Sequence, residues 1–194
     1  MDYRIVLGII ATLIGLFSYI PYFRDLILKK TKPHVFTWLI WGVLTAIAFV
    51  AQLSANGGPG AWVNGITTIT CFVNVGFALK YGKKNIKPID VLCLSLAVIA
   101  ICWWIFAKDA LVSIILVTIA DILGFIPTFR KAYSDPYSET LITYFLSSTK
   151  YLISLFALIN FSQVTIIFPL YLVIANSTFG VFSLIRRVQL KVKK

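Results

Sequence analysis

Ile20-Pro21-Tyr22-Phe23-Arg24 and Ile126-Pro127-Thr128-Phe129-Arg130 are two versions of one phrase. Each ends an apolar run, opens a basic loop and precedes another run that begins near a Pro and a Thr, Pro33 and Thr37 first, Pro136 and Thr140 second. The phrase prolines are 106 residues apart and the following Pro and Thr 103 apart, so the second copy has a loop three residues shorter. An internal repeat of this length constrains the architecture before any single element is assigned.

The composition says what solvent the repeat is built for. Hydrophobic residues make up 59% of the 194, charged residues 13%, and the mean hydropathy is +0.90. That leaves too little polar surface to enclose a water-soluble core, and the chain reads as an integral membrane protein. The net charge of +11 resides in short loops between apolar runs, which makes it topology information and not a nucleic-acid footprint. Cys71, Cys93 and Cys102 fall inside apolar runs without metal-ligand spacing and are expected to be small buried hydrophobes. Residues 5 to 20 follow Arg4 but precede no small-x-small cleavage site, so this run is kept as a span.

Seven runs approach the roughly 20 residues that a crossing helix needs. They are 4–22, 35–54, 61–80, 88–107, 110–128, 139–159 and 164–185. Ser54 to Gly60, rich in Gly and Pro, separates the second from the third, and the Lys108-Asp109 step divides the fourth from the fifth. Bases gather in alternate loops: Arg24, Lys29, Lys30 and Lys32, then Lys80, Lys83, Lys84 and Lys87, then Arg130 and Lys131, then Arg186, Arg187, Lys191, Lys193 and Lys194 in the tail. The other side has only Arg4 and Lys108, so the N-terminus is expected outside and the C-terminus in the cytoplasm. Three spans on each side of the fourth give an all-α, three-plus-one-plus-three plan of parallel repeats: 1–84 the first three-helix unit, 85–108 a linker helix, 109–194 the second unit with its basic tail.

This plan, with a proline at the cytoplasmic end of the first helix of each unit, resembles the PQ-loop superfamily, and within it the SWEET sugar transporters and their half-sized bacterial relatives. The resemblance implies a site near the midplane at the repeat interface. It also implies a hinge role for Pro21 and Pro127, and substrate hydrogen bonding for Asn74 and Asn176, which are 102 residues apart in the third and seventh spans. Tyr22 and Thr128 stand where that motif has glutamine.

Apart from the resemblance, an amide inside a bundle is either interhelical glue or the lining of a polar path. Asp121 and Lys150 are expected at similar depth, roughly 12 to 15 Å from the cytoplasmic end of their spans. Intramembrane ionisable groups are functional candidates by default, and equal depth allows an ion pair. Gly15 and Ile47 occupy the corresponding places in the first unit. Trp38, Trp41 and Thr45 share a face of the second span and are read as core or pocket wall, with Trp41 and Thr45 the candidate walls. Trp62, Trp103 and Trp104 are expected at the membrane interface. His34 stands alone in a loop without metal-ligand company.

The sequence therefore predicts a small-solute transporter working by alternating access, without cofactor, metal or enzymatic motif. Its solute is expected to be neutral and polar, such as a sugar, with the lipid bilayer and that solute as partners and no nucleic acid. Seven helices suffice for a pathway in a monomer, and a homo-oligomer stays open. The short loops suit a bacterial inner membrane. The rival readings are a receptor or scaffold of the same fold and a vitamin or nucleoside carrier. A retinal Schiff base is set aside because Lys150 is in the sixth run and the seventh contains no lysine.

Overall fold

The computed structural model describes residues 2–28, 35–81, 88–107, 109–137 and 139–192. His34, Pro33 and the loop lysines Lys29, Lys30, Lys32, Lys83, Lys84, Lys87, Lys108, Lys193 and Lys194 are outside the described residues, as are the side chains of Trp104, Pro127 and Lys191. Among the described residues the chain is all helical, with no strand. The helices are α1 (Tyr3–Ser18), α2 (Ile20–Ile27), α3 (Val35–Ser54), α4 (Trp62–Tyr81), α5 (Pro88–Ala107), α6 (Ala110–Ser134), α7 (Leu141–Phe156) and α8 (Gln163–Val192), with a 3-10 turn at Gly58–Ala61.

Each of the seven expected runs contains a helix. Five apolar stretches are long enough to cross a membrane: Tyr3–Ile27, Val35–Ser54, Gly58–Lys80, Ala110–Ser134 and Gln163–Leu190. Val91–Ala107 and Leu141–Phe156 are apolar and shorter. This is the build of a multi-pass membrane protein.

The local chemistry explains where helices stop. α1 and α2 form one apolar stretch interrupted at Tyr19, where Pro21 has no N–H to give the carbonyl four residues back, that of Phe17. Pro127, by contrast, lies inside α6, which continues to Ser134, so the two phrases do not end their helices alike. The weak Lys108-Asp109 break is a true boundary: Asp109 caps α6, its Oδ1 accepting from the N–H groups of Leu111 at 3.0 Å and Val112 at 3.1 Å. α8 outruns its expected end at 185. Arg186 Nε donates to the Tyr133 carbonyl at 2.8 Å, and Arg187 donates to the carbonyls of Pro136 and Glu139 at 3.0 and 2.8 Å. These bonds fasten the basic extension of α8 to the last turn of α6 and to the loop that follows it.

Helix neighbours set the core. α4 packs on both α1 and α3, and α8 on both α6 and α7. These two sets meet through α1 on α7 and α3 on α6, while α5 lies against α6 and α3. Cys71 and Cys93 are buried, as expected, but Cys102 is exposed on α5 beside the exposed Trp103, on the face of α5 turned away from α6 and α3.

At the end away from the basic loops, the α3–α4 and α7–α8 connections are stitched together. Ile159 N–H donates to the Gly57 carbonyl at 3.2 Å, Gly60 N–H to Ala157 at 3.1 Å, and Asn160 Nδ2 to Ala55 at 2.9 Å. Gly60 permits this approach: a Cβ there would stand 2.6 Å from both the Ser154 carbonyl oxygen and Leu158 Cδ2. Gly60→Ala is therefore expected to cost about 1–3 kcal/mol through forced displacement of backbone. Gly76→Ala, where a Cβ meets nothing within 4 Å, should be neutral or stabilising by up to about 1 kcal/mol. Thermal unfolding of the two variants in the same detergent checks the contrast, and equal midpoints would contradict it.

Candidate functional site

The candidate residues belong to a buried polar layer between the two helix sets, bounded towards the basic loops by aromatic rings. Asn74 is fully buried in α4 and its Nδ2 donates to the carbonyl of Thr70, one turn back, at 3.0 Å. Asn176 is buried in α8 and does the same, donating to Leu172 at 2.7 Å. Neither amide is spent as glue between helices. Asn74 Oδ1 is buried without a hydrogen-bond partner, an arrangement that costs free energy unless something supplies a donor.

Lys150, in the middle of α7, is fully buried. Its Nζ donates to Thr67 Oγ1 on α4 at 2.8 Å and lies 5.2 Å from the ring centre of Tyr19 and 5.0 Å from that of Tyr151. Gly15 on α1 lies against it: a Cβ there would be at ordinary contact distance from Lys150 Cδ, 3.4 Å, and closer to Ile66 Cγ2, 3.1 Å. Asp121 is buried in α6, where its Oδ2 accepts from Tyr171 Oη on α8 at 2.8 Å.

The two charges expected to pair are thus held separately. Arg24 pairs with Asp25 and Lys131 with Glu139, both towards the basic end. Equal depth on consecutive helices does not join Asp121 to Lys150, because α8 packs on both α6 and α7. Asp121 reaches α8, and Lys150 turns away to α1 and α4.

Thr45 is buried in α3, where its Oγ1 donates to the Trp41 carbonyl at 2.7 Å and accepts from Thr68 Oγ1 at 3.0 Å. Trp41 itself belongs to a continuous series of ring contacts. Tyr22 stacks edge-on with Trp38 at 5.0 Å and accepts a hydrogen bond from Trp38 Nε1 at 3.1 Å, so the tyrosine in the motif's glutamine place has a partner of its own. Trp38 meets Trp41 at 5.3 Å, Trp41 meets Phe125 at 5.7 Å, and Phe125 meets Phe179 at 6.3 Å. Tyr144 completes the series against Phe179 at 4.3 Å. Below these rings Thr140 Oγ1 donates to Asp25 Oδ2 at 2.8 Å, linking α2 to the start of α7. Trp62 and Trp103 are surface residues, at 38% and 47% exposure.

Some contacts recur in both helix sets. Phe23 and Phe77 are 5.4 Å apart, and Phe129 and Phe179, at the repeat-related positions, 5.1 Å. Tyr19 and Phe23 are 6.4 Å apart, Phe125 and Phe129 6.2 Å.

Sequence reasoning overlooked Thr67, Tyr19, Tyr151, Tyr171 and a cluster of Gln52, Asn64 and Thr165. Gln52 Nε2 donates to the Thr165 carbonyl at 2.7 Å and Gln52 Oε1 accepts from Asn64 Nδ2 at 2.7 Å, all three residues being fully or almost fully buried. One signal was available. Pro169 lies inside α8 and cannot donate to the carbonyl four residues back, which is that of Thr165.

Fold and site together define an all-helical bundle with apolar helices of membrane-crossing length around buried polar and ionisable side chains. Compared with protein-family models, with curated proteins and with solved structures, the chain matches none.

Proposed function

We propose that this chain is a small-solute membrane transporter that works by alternating access between two parallel repeats of three spans, α1 with α2, α3 and α4 in one and α6, α7 and α8 in the other, joined by the linker α5. The observation that carries the reading is that one arrangement occurs twice. In each set the third helix packs on both others, a Phe pair meets at the repeat-related positions, and an Asn bonds its own helix one turn back. The cross-set contacts, α1 on α7 and α3 on α6, exchange under the same pseudo-two-fold relation. Repeats of this kind bind their solute at the interface and rock about it. The aromatic series and the Asp25–Thr140 bond serve as the gate at the basic end, taken as cytoplasmic, and the stitched loops as the gate at the other.

This reading agrees with the resemblance to the PQ-loop superfamily and with a place in a bacterial inner membrane. Asn74 and Asn176 line the path, with Thr45, bonded to Thr68, farther from the ring gate than Asn74, and Pro21 and Pro127 lie where each unit's first helix bends or transmits the motion. The protein needs no cofactor for this work and acts as no enzyme.

Uptake into liposomes containing the purified chain tests the proposal, using labelled sugars, nucleosides and organic acids. Asn74→Ala with Asn176→Ala is expected to reduce uptake of the transported class at least about tenfold, the loss of one or two polar contacts, while leaving folding intact because both amides bond only their own helices. Uptake unaffected by the double substitution would remove the amides from the path. Binding without uptake would favour the receptor or scaffold reading.

A further inference from the structure

Lys150 heads the fully buried side chains by volume, and its surroundings lack what a buried ammonium ordinarily has. An ammonium offers three donors. One goes to the neutral hydroxyl of Thr67, which also accepts from Tyr151 Oη at 3.3 Å and donates to the Val63 carbonyl at 2.6 Å. The Tyr19 and Tyr151 rings lie within reach of Nζ and present faces that attract a cation. Buried charges are normally paired, yet among the described residues no carboxylate forms an ion pair with this one, and Asp121 is held by Tyr171.

The complementary deficit lies on the same helix. Thr67 and Asn74 are seven residues apart in α4, which places them on one face about 10 Å apart along the axis, the reach of a small acid with a hydrogen bond at each end. At one end are donors short of an anionic acceptor, and at the other is the Asn74 Oδ1 acceptor without a donor.

We propose that the site binds a small hydroxylated organic anion, its carboxylate or phosphate on Lys150 and a hydroxyl on Asn74 Oδ1, in place of the neutral sugar that the sequence suggested. The inference rests on the transporter reading only for the site's accessibility to solute. The pseudo-symmetric place differs, since Ile47 of the first set stands where Lys150's counterpart would be, so the solute sits with its charge towards α1, α4 and α7.

The test is ligand-dependent thermal stabilisation of the purified full chain in detergent, at constant ionic strength, with pairs matched in size: lactate against lactamide, gluconate and glucose 6-phosphate against glucose, glutamate against glutamine. At least one anion is expected to stabilise the wild-type chain at concentrations about tenfold or more below those required of its neutral partner. Lys150→Gln should abolish that preference and Lys150→Arg retain part of it. If Lys150→Gln does not fold, the wild-type comparison decides alone. Stabilisation by neutral partners equal to or better than by the anions, or by none of the compounds, overturns the proposal. Liposome uptake of the same pairs separates the two claims. Anion binding without uptake keeps this site and removes the transporter reading, whereas uptake of neutral solutes alone keeps the transporter and removes the anion.

Discussion

Trp41→Ala should destabilise the protein by about 3 kcal/mol, with SDS or thermal unfolding in detergent as the measurement. Trp41 is the side chain at which the three buried apolar clusters converge: one centred on Leu44 and Val117, one on Tyr22 and Trp38, one on Phe125 and Phe179. Its indole links the rings of Trp38 and Phe125, and so carries the contact between α3 and α6 at this level. Lipid is as apolar as the bundle interior, so the transfer part of a truncation cost is small here and the lost van der Waals contacts dominate. For that reason the figure is placed at the low end of the range for burying and removing a tryptophan. Trp62→Ala, on a surface residue, should cost under about 1 kcal/mol. Equal losses for the two tryptophans would show that Trp41 joins nothing. In the transporter reading Trp41→Ala also opens the ring gate, and proteoliposomes carrying it should leak solute that the wild-type chain retains.

The role of Trp41 shows where sequence reading reaches and where it stops. The spacing of Trp38, Trp41 and Thr45 placed them on one face of a span, and they are so placed. What that face meets depends on which helices are neighbours, and hydropathy contains no such information. The same gap explains Asp121 and Lys150. Their depths follow from rise per residue, but their separation follows from α8 packing on both helices that carry them. Spans were legible because apolar length alone defines them. Ends were less so: α8 continues to Val192 on the strength of Arg186 and Arg187 binding loop carbonyls, a tertiary contact. The Asp109 cap, in contrast, was written in the sequence as an Asp before an apolar run and could have settled the α5–α6 boundary. Asn74 and Asn176 were visible from the repeat, whereas Thr67, an ordinary hydroxyl in a span, is distinguished only by the lysine that reaches it.

Gln52→Leu should cost about 3 kcal/mol, and Pro169→Ala should relieve part of that loss. In a helix the carbonyl of Thr165 would accept from residue 169, but Pro169 has no N–H to give. Gln52 Nε2 fills the place from α3 at 2.7 Å, while Gln52 Oε1 holds Asn64 Nδ2. Leucine of similar size leaves both the carbonyl and the amide buried without partners, at about 1–3 kcal/mol each. Restoring an N–H at position 169 returns an intrahelical bond to Thr165, so the glutamine then has only Asn64 to serve. The four proteins of the Gln52→Leu, Pro169→Ala cycle, unfolded under one condition, should therefore show a coupling of about 1–2 kcal/mol, with the double variant more stable than the two single effects add up to. Additivity within about 0.5 kcal/mol would mean that the Gln52 bond to Thr165 does not substitute for the missing helical one. A positive coupling would identify Gln52 as the part of α3 that lets α8 keep a proline beside the stitched loops, and would tie the end opposite the basic loops to both helix sets through one side chain.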